Sequence, residues 1–139
     1  METVRKVLGR DAIRAARPAL PRDVVMVPEI EAGAAVLVQG LSGSGRDAYE
    51  ASLLSDRGNG RGKGQKYALD NVRARLIVRC VIDPDTGDRV FTDEDVAAVG
   101  AWPASVIHRV FEAAKKLSGM SDAEVEELGK LSAGDLSDS

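Results

Sequence analysis

The sequence predicts an α+β fold, with a short antiparallel β-hairpin near residues 24–39 leading into a bundle of four or five helices. Three observations carry that prediction. Two short runs rich in β-branched residues, Val24-Val25-Met26-Val27 and Ala34-Ala35-Val36-Leu37-Val38, stand five residues apart across Glu29–Gly33. Helical apolar periodicity then recurs, clearest in residues 67–80 and 102–117. Start and stop signals for helices punctuate the second half of the chain.

The elements follow in order. Glu2–Ala16 mixes helix formers with apolar Val4, Val7, Leu8, Ala12 and Ala15, which predicts a short amphipathic helix ended by Pro18 and Pro21. Pro28 has no backbone donor, so it belongs at the end of the first strand. Gly40–Gly45 reads as a turn, with Ser42 or Ser44 capping a helix through Arg46, Tyr49 and Leu53. Four glycines alternate with Arg57, Asn59, Arg61, Lys63 and Gln65, which predicts a mobile loop over residues 56–66. In Tyr67–Cys80 the residues Leu69, Val72, Leu76 and Cys80 share one helical face, with Arg73, Arg75 and Arg79 off that line. Asp83-Pro84-Asp85-Thr86-Gly87-Asp88 predicts the turn of a second small hairpin over Val81–Phe91. Thr92 with Asp95, and Ser121 with Glu124, have the spacing of capping boxes. Gly100 stops one helix, Pro103 starts the next, and Gly119 ends it after the stripe Val106, Val110, Ala114 and Leu117. Residues 1–23 are thus a leading helix and linker, 24–130 one domain, and 131–139 a disordered acidic tail.

The bulk numbers narrow the function. With 44% apolar and 29% charged residues, 139 residues can form one domain with a core, built mostly from aliphatic side chains because aromatics are scarce. No run approaches the roughly 20 apolar residues a membrane helix needs, and the Arg-rich start lacks the apolar segment of a secretory signal. A single cysteine, Cys80, makes a reducing cytoplasm the default. The net charge of −3 divides into +5 over residues 1–80 (14 basic, 9 acidic) and −8 over residues 81–139 (5 basic, 13 acidic). Solvation of the surface explains such a split, and so do separate contact surfaces or head-to-tail self-association.

Chemistry that would define an enzyme or metal site is incomplete. Gly40–Gly45 has the glycine spacing of a phosphate-binding loop, but Arg46 and Asp47 stand where Lys and Ser or Thr are needed. Asp83, Asp85 and Glu94 match three calcium-loop positions, yet Gly87 and Asp88 are reversed from the required order. Cys80 and His108 are the only nucleophile and base candidates, and Cys80 lies on an apolar helix face. One Cys and one His fall short of a zinc site. No catalytic residue, cofactor site or metal site is therefore expected. Arg57, Arg61, Lys63 and Lys66 leave open an alternative function, a small adaptor binding nucleic acid through loop 57–66. Against it, no aromatics interleave with the basic residues and the chain is net acidic.

Taken in order, several strings are recognisable. They are Val24-Val25-Met26-Val27-Pro28-Glu29, Val36-Leu37-Val38-Gln39-Gly40-Leu41-Ser42-Gly43, Arg46-Asp47-Ala48-Tyr49-Glu50 and Asn71-Val72-Arg73-Ala74-Arg75-Leu76. Phe91-Thr92-Asp93-Glu94-Asp95-Val96, Val110-Phe111-Glu112-Ala113-Ala114 and Glu124-Val125-Glu126-Glu127-Leu128 follow. Over about residues 24–130 this ordered set resembles the tail assembly chaperones of siphophages and related prophages, especially those of actinobacterial hosts. Ile30-Glu31-Ala32-Gly33 departs from the aromatic residue and glycines common there, and Gly45 from the usual Glu. The resemblance implies a non-catalytic protein of the host bacterial cytoplasm. It would bind the tape-measure protein, keep it soluble, help recruit tail-tube protein, and be absent from the mature virion. Apolar helical stripes on such a partner call for Val, Leu and Ala grooves. Tyr49, Trp102, Arg73, Arg75 and Phe111 are the candidate partner-binding residues, with packing in the core as the competing role for Tyr49 and Trp102.

Overall fold

A computed structural model describes residues 5–58 and 68–132. Its elements are α1 (Arg10–Ala15), β1 (Arg22–Met26), β2 (Ala35–Gln39), α2 (Gly43–Gly58), α3 (Ala68–Cys80) and β3 (Val81–Ile82). A 3-10 turn (Asp93–Asp95) then runs into α4 (Val96–Gly100), followed by α5 (Ala104–Leu117) and α6 (Asp122–Ser132). The fold is α+β, as the sequence predicts, with the hairpin following the short α1 and, among the described residues, five helices after it.

β1 and β2 pair antiparallel with Val24 opposite Leu37 and Val25 opposite Val36. The connecting tip closes through Val27 N–H to the Ala34 carbonyl at 2.9 Å, with Gly33 at φ 78° where the chain reverses. The second predicted hairpin is present in a minimal form. Val90 N–H donates to Val81 O at 3.1 Å and Asp83 N–H to Asp88 O at 2.8 Å around Gly87 at φ 79°. Its first strand, β3, also pairs with β2, Leu37 opposite Ile82 and Val38 opposite Val81, so one three-stranded sheet forms in the order β1-β2-β3.

α3 is the central helix, packed against α2, α4, α5 and α6. Val72, Leu76 and Cys80 of the predicted stripe are buried, and so are Ala74, Ile77 and Val78. A helix surrounded by four others is apolar over most of its circumference. α5 packs its Val106, Val110 and Ala114 face between the sheet and α3, where Val25, Val38 and Val81 form the inner sheet face.

Local signals hold the ends. Ser42 Oγ accepts the Gly45 N–H at 3.0 Å at the start of α2. Thr92 and Asp95 form the predicted capping box. Ser121 and Glu124 form the other, Ser121 N–H to Glu124 Oε1 at 2.9 Å and Glu124 N–H to Ser121 Oγ at 3.1 Å. Gly119, at φ 70°, terminates α5.

Some boundaries differ from the sequence reading. The leading helix, expected over Glu2–Ala16, is only Arg10–Ala15 in the described residues, with Gly9 at its N-cap in an extended conformation. Glycine inside a helix costs about 1 kcal/mol against alanine, which makes Gly9 a natural boundary. α2 continues through Gly58, so residues 56–58 of the expected loop are helical, and residues 59–66 lie outside the described residues. The expected acidic tail begins inside α6, and residues 133–139 also lie outside them.

Candidate functional site

Both strands of the hairpin are apolar on consecutive residues. An antiparallel sheet with one wet face alternates apolar and polar side chains, whereas unbroken apolar runs belong to strands covered on both faces. Here one face is covered by α5 and the other only in part, with Ile82 buried and Val24 exposed. Val25 and Val38 point to α5, while Val24, Leu37 and Ile82 stand in register across the other face, one from each strand. Val24 remains 61% exposed. Half-exposed Ile30 at the hairpin tip and Val90 beyond the β3 turn extend the same surface.

These residues line an apolar groove of about 540 Å³. Pro84, Val90 and Phe91 form one side, Ile30 and Ala35 the tip end, and Trp102 a wall. Phe91 meets Trp102 edge to face, centroids 5.8 Å apart at 65°, which fixes the indole where the α4–α5 junction meets the sheet. Across the indole lies a second, more polar cleft of about 410 Å³, lined by Arg73, Gly100, Trp102, Ala104, Ile107 and His108. Trp102 is therefore shared by both concavities.

A polar clip sets the groove's tip. Arg109 of α5 donates to both Glu29 carboxylate oxygens at 3.0 and 2.7 Å and to the Met26 carbonyl at 2.9 Å, and Ser105 donates to Glu29 at 2.8 Å. The Arg109 hydrogen bonds, with the Glu29 backbone and Ser105, hold the Glu29 carboxyl down at about 2. The clip anchors the turn that carries Ile30 to the helix layer.

The five sequence-derived contact residues separate. Trp102 and Arg73 come together at the polar cleft. Phe111 lies beneath Arg73, whose guanidinium carbon is 5.8 Å from the ring centroid, with Lys115 Nζ 5.6 Å from the same ring. Phe111 itself is buried. Arg75 is half-buried on α3, near enough to Tyr49 for its charge to act on the phenol. Tyr49 has no exposed surface: its hydroxyl donates to the Val72 carbonyl at 3.0 Å, and burial pushes its pKa up. Its amphipathic ring thus finds its polar partner inside the protein. Sequence reading missed Val24, Ile30, Leu37, Val90 and Phe91. The signal was present as the two-faced apolar character of the strands.

The remaining chemistry-bearing residues are accounted for structurally. Cys80 is buried, with its thiol pushed up to about 12 by burial. His108 is exposed on α5. Arg46, at the phosphate-loop-like turn, pairs with Glu50 at 3.0 Å and with Glu124 of α6 at 3.2 Å. Among the described residues no cluster of three His, Cys, Asp or Glu could hold a metal ion, and no helix is long and apolar enough to cross a membrane. What the described surface offers is an apolar groove with an aromatic wall.

Against known proteins, a family model described as phage tail assembly chaperone matches residues 9–130. No curated protein and no solved structure matches the chain.

Proposed function

The chain belongs to the phage tail assembly chaperone family, and from that premise we propose that it binds the tape-measure protein through the outer face of its sheet. The observation that carries this reading is the apolar groove floored by Val24, Leu37 and Ile82, with Val24 61% exposed, and walled by Trp102. A tape-measure helix exposes long apolar stripes that aggregate in water, and an apolar groove sequesters one stripe at a time. Trp102 and Arg73 contact the partner where groove and cleft meet, with Phe111 beneath Arg73, while Arg75 and buried Tyr49 act in packing rather than contact. The protein acts without catalysis in the host cytoplasm, helps bring tail-tube subunits to the loaded tape measure, and leaves before the virion is complete.

Co-expression with the tape-measure protein of the same virus tests this. The expected result is a soluble complex recovered at both about 0.1 M and about 1 M salt, since apolar contacts are not screened. Val24→Asp places a carboxylate on the groove floor and should weaken recovery about tenfold or more, with the helical signal unchanged. Trp102→Ala should weaken it similarly. An insoluble tape measure beside wild-type chaperone, or equal recovery with folded Val24→Asp, would refute the assignment.

A further inference from the structure

Building on the groove reading, we infer that the polar cleft across the Trp102 indole is a carboxylate site, and that it takes acidic side chains flanking the apolar stripe of the segment that fills the groove. An apolar groove by itself is indifferent to direction. Burial is non-directional, so a helix lying there loses little by sliding one turn, about 5.4 Å, or by reversing. A polar contact at one place removes that freedom and fixes register. Such a place adjoins the groove on its Trp102 side, because one indole walls both concavities. A helix laid against the indole reaches the cleft with its neighbouring turn of side chains.

The chemistry of the cleft selects its ligand. Arg73 brings a guanidinium whose carbon lies 5.8 Å from the Phe111 ring centroid, so packing holds the cation at the cleft. His108, the chain's one histidine, is exposed on α5 and donates from a ring nitrogen in either protonation state. Ala104 opens α5, whose N-cap Pro103 makes no side-chain cap bond, which adds the positive end of the helix dipole to the same place. Among the described residues none that lines the cleft is acidic, although residues 81–139, which supply all of that lining except Arg73, sum to −8. Ile107 and the indole make the remaining wall apolar, which suits a carboxylate carried on a methylene stem, as in Asp or Glu. One guanidinium and one imidazole in a chain of net charge −3 are too little for a nucleic-acid backbone.

Elsewhere the margin of the groove is acidic. Glu31 follows Ile30 at the tip, and Pro84 stands between Asp83 and Asp85 with Asp88 on the same turn. Arg22, near Gly87, offsets one of these acids. Arg89 is engaged with Asp93 and the Val78 carbonyl. A partner's carboxylates are repelled along that margin and accepted at the cleft, so a segment with acids at one end of its apolar stripe fits in one direction. Arg73 and His108 are thereby specificity residues for the groove, and the groove supplies the affinity.

Trp102 is the chain's only tryptophan, so its fluorescence reports binding at the wall shared by groove and cleft. The full-length protein is titrated with two synthetic helical peptides that lack tryptophan and share one leucine stripe, the first ending in a short run of glutamates and the second in glutamines. At about 0.1 M salt the glutamate peptide should bind about tenfold more tightly, and the ratio should shrink to about twofold at about 1 M salt. In the double variant Arg73→Gln, His108→Gln, with its helical signal unchanged, the ratio should fall to about one. Should the double variant not fold, His108→Gln alone, at an exposed position, should cut the preference to about threefold. Equal binding of both peptides to wild type overturns the carboxylate site and leaves the groove reading standing. A preference that survives in these variants overturns it too. Binding of neither peptide removes the groove reading and the carboxylate site together.

Discussion

Gly40 sits where β2 hands over to α2, and its lack of a side chain is a packing requirement. A Cβ there would lie 2.2 Å from the Leu117 carbonyl oxygen, 2.7 Å from its carbon and 3.2 Å from its Cβ. Backbone cannot rotate aside as a side chain can, so Gly40→Ala must push β2 and the end of α5 apart by about 1 Å. Leu41 N–H to Ser118 Oγ at 3.0 Å spans this junction, and Gly40 N–H to Pro21 O at 2.9 Å ties the same turn to the start of β1. Overpacking costs about 1–3 kcal/mol and each of the two strained hydrogen bonds about 0.5–1.5 kcal/mol, for a loss of about 2–6 kcal/mol. For a chain of this length that lowers the melting temperature by roughly 7–20 °C. Urea denaturation of Gly40→Ala beside Gly43→Ala measures it. Gly43 opens α2, and a Cβ there meets nothing within 4 Å, so its substitution should be neutral or stabilising by up to about 1 kcal/mol. Equal midpoints for the two variants would refute the idea that the β2–α5 junction is closed by backbone contact.

Tyr49→Phe, which deletes only the hydroxyl bonded to the Val72 carbonyl, should lower stability by about 1 kcal/mol in denaturant titration; Tyr49→Ala empties a fully buried site and should lose about 3–5 kcal/mol. Cys80, with its thiol raised to about 12 and no exposed surface, should resist a maleimide at pH 7 in the native protein and react within minutes once urea unfolds it. The Glu29 carboxyl is lowered from 4.5 to about 2 chiefly by Arg109, so it binds fewer protons folded than unfolded. Its contribution is complete above pH 4.5 and disappears as pH falls towards 2. A thermal midpoint that drops as steeply over that window in Arg109→Ala as in wild type would count against the clip.

The elements readable in the sequence are those whose cause lies within a few residues. The capping boxes at Thr92 and Ser121, the caps at Ser42 and Gly119, the turn at Asp83–Asp88 and the hairpin strands all follow from neighbours in the chain, and each is present. The ordered strings that resemble tail assembly chaperones belong to the same level, and the family match over residues 9–130 agrees with them. The contact residues were less legible. Aromatic scarcity drew attention to Tyr49 and Trp102 alike, and nothing local separates a tyrosine buried against Val72 from a tryptophan walling a groove.

Sequence by itself therefore determined the α+β class, the order of elements and the apolar character of both strand faces. Tertiary structure alone decided which strand face is covered. That choice depends on α5 lying across Val25 and Val38, on β3 joining β2 after two helices, α2 and α3, have intervened, and on Arg109 reaching Glu29 80 residues away. Such contacts close long loops whose entropic cost is met only by the assembled core, so no short window of sequence encodes them. The same assembly leaves Val24 exposed and Leu37 half-buried beside a buried Ile82, so the outer sheet face stays open as an apolar groove.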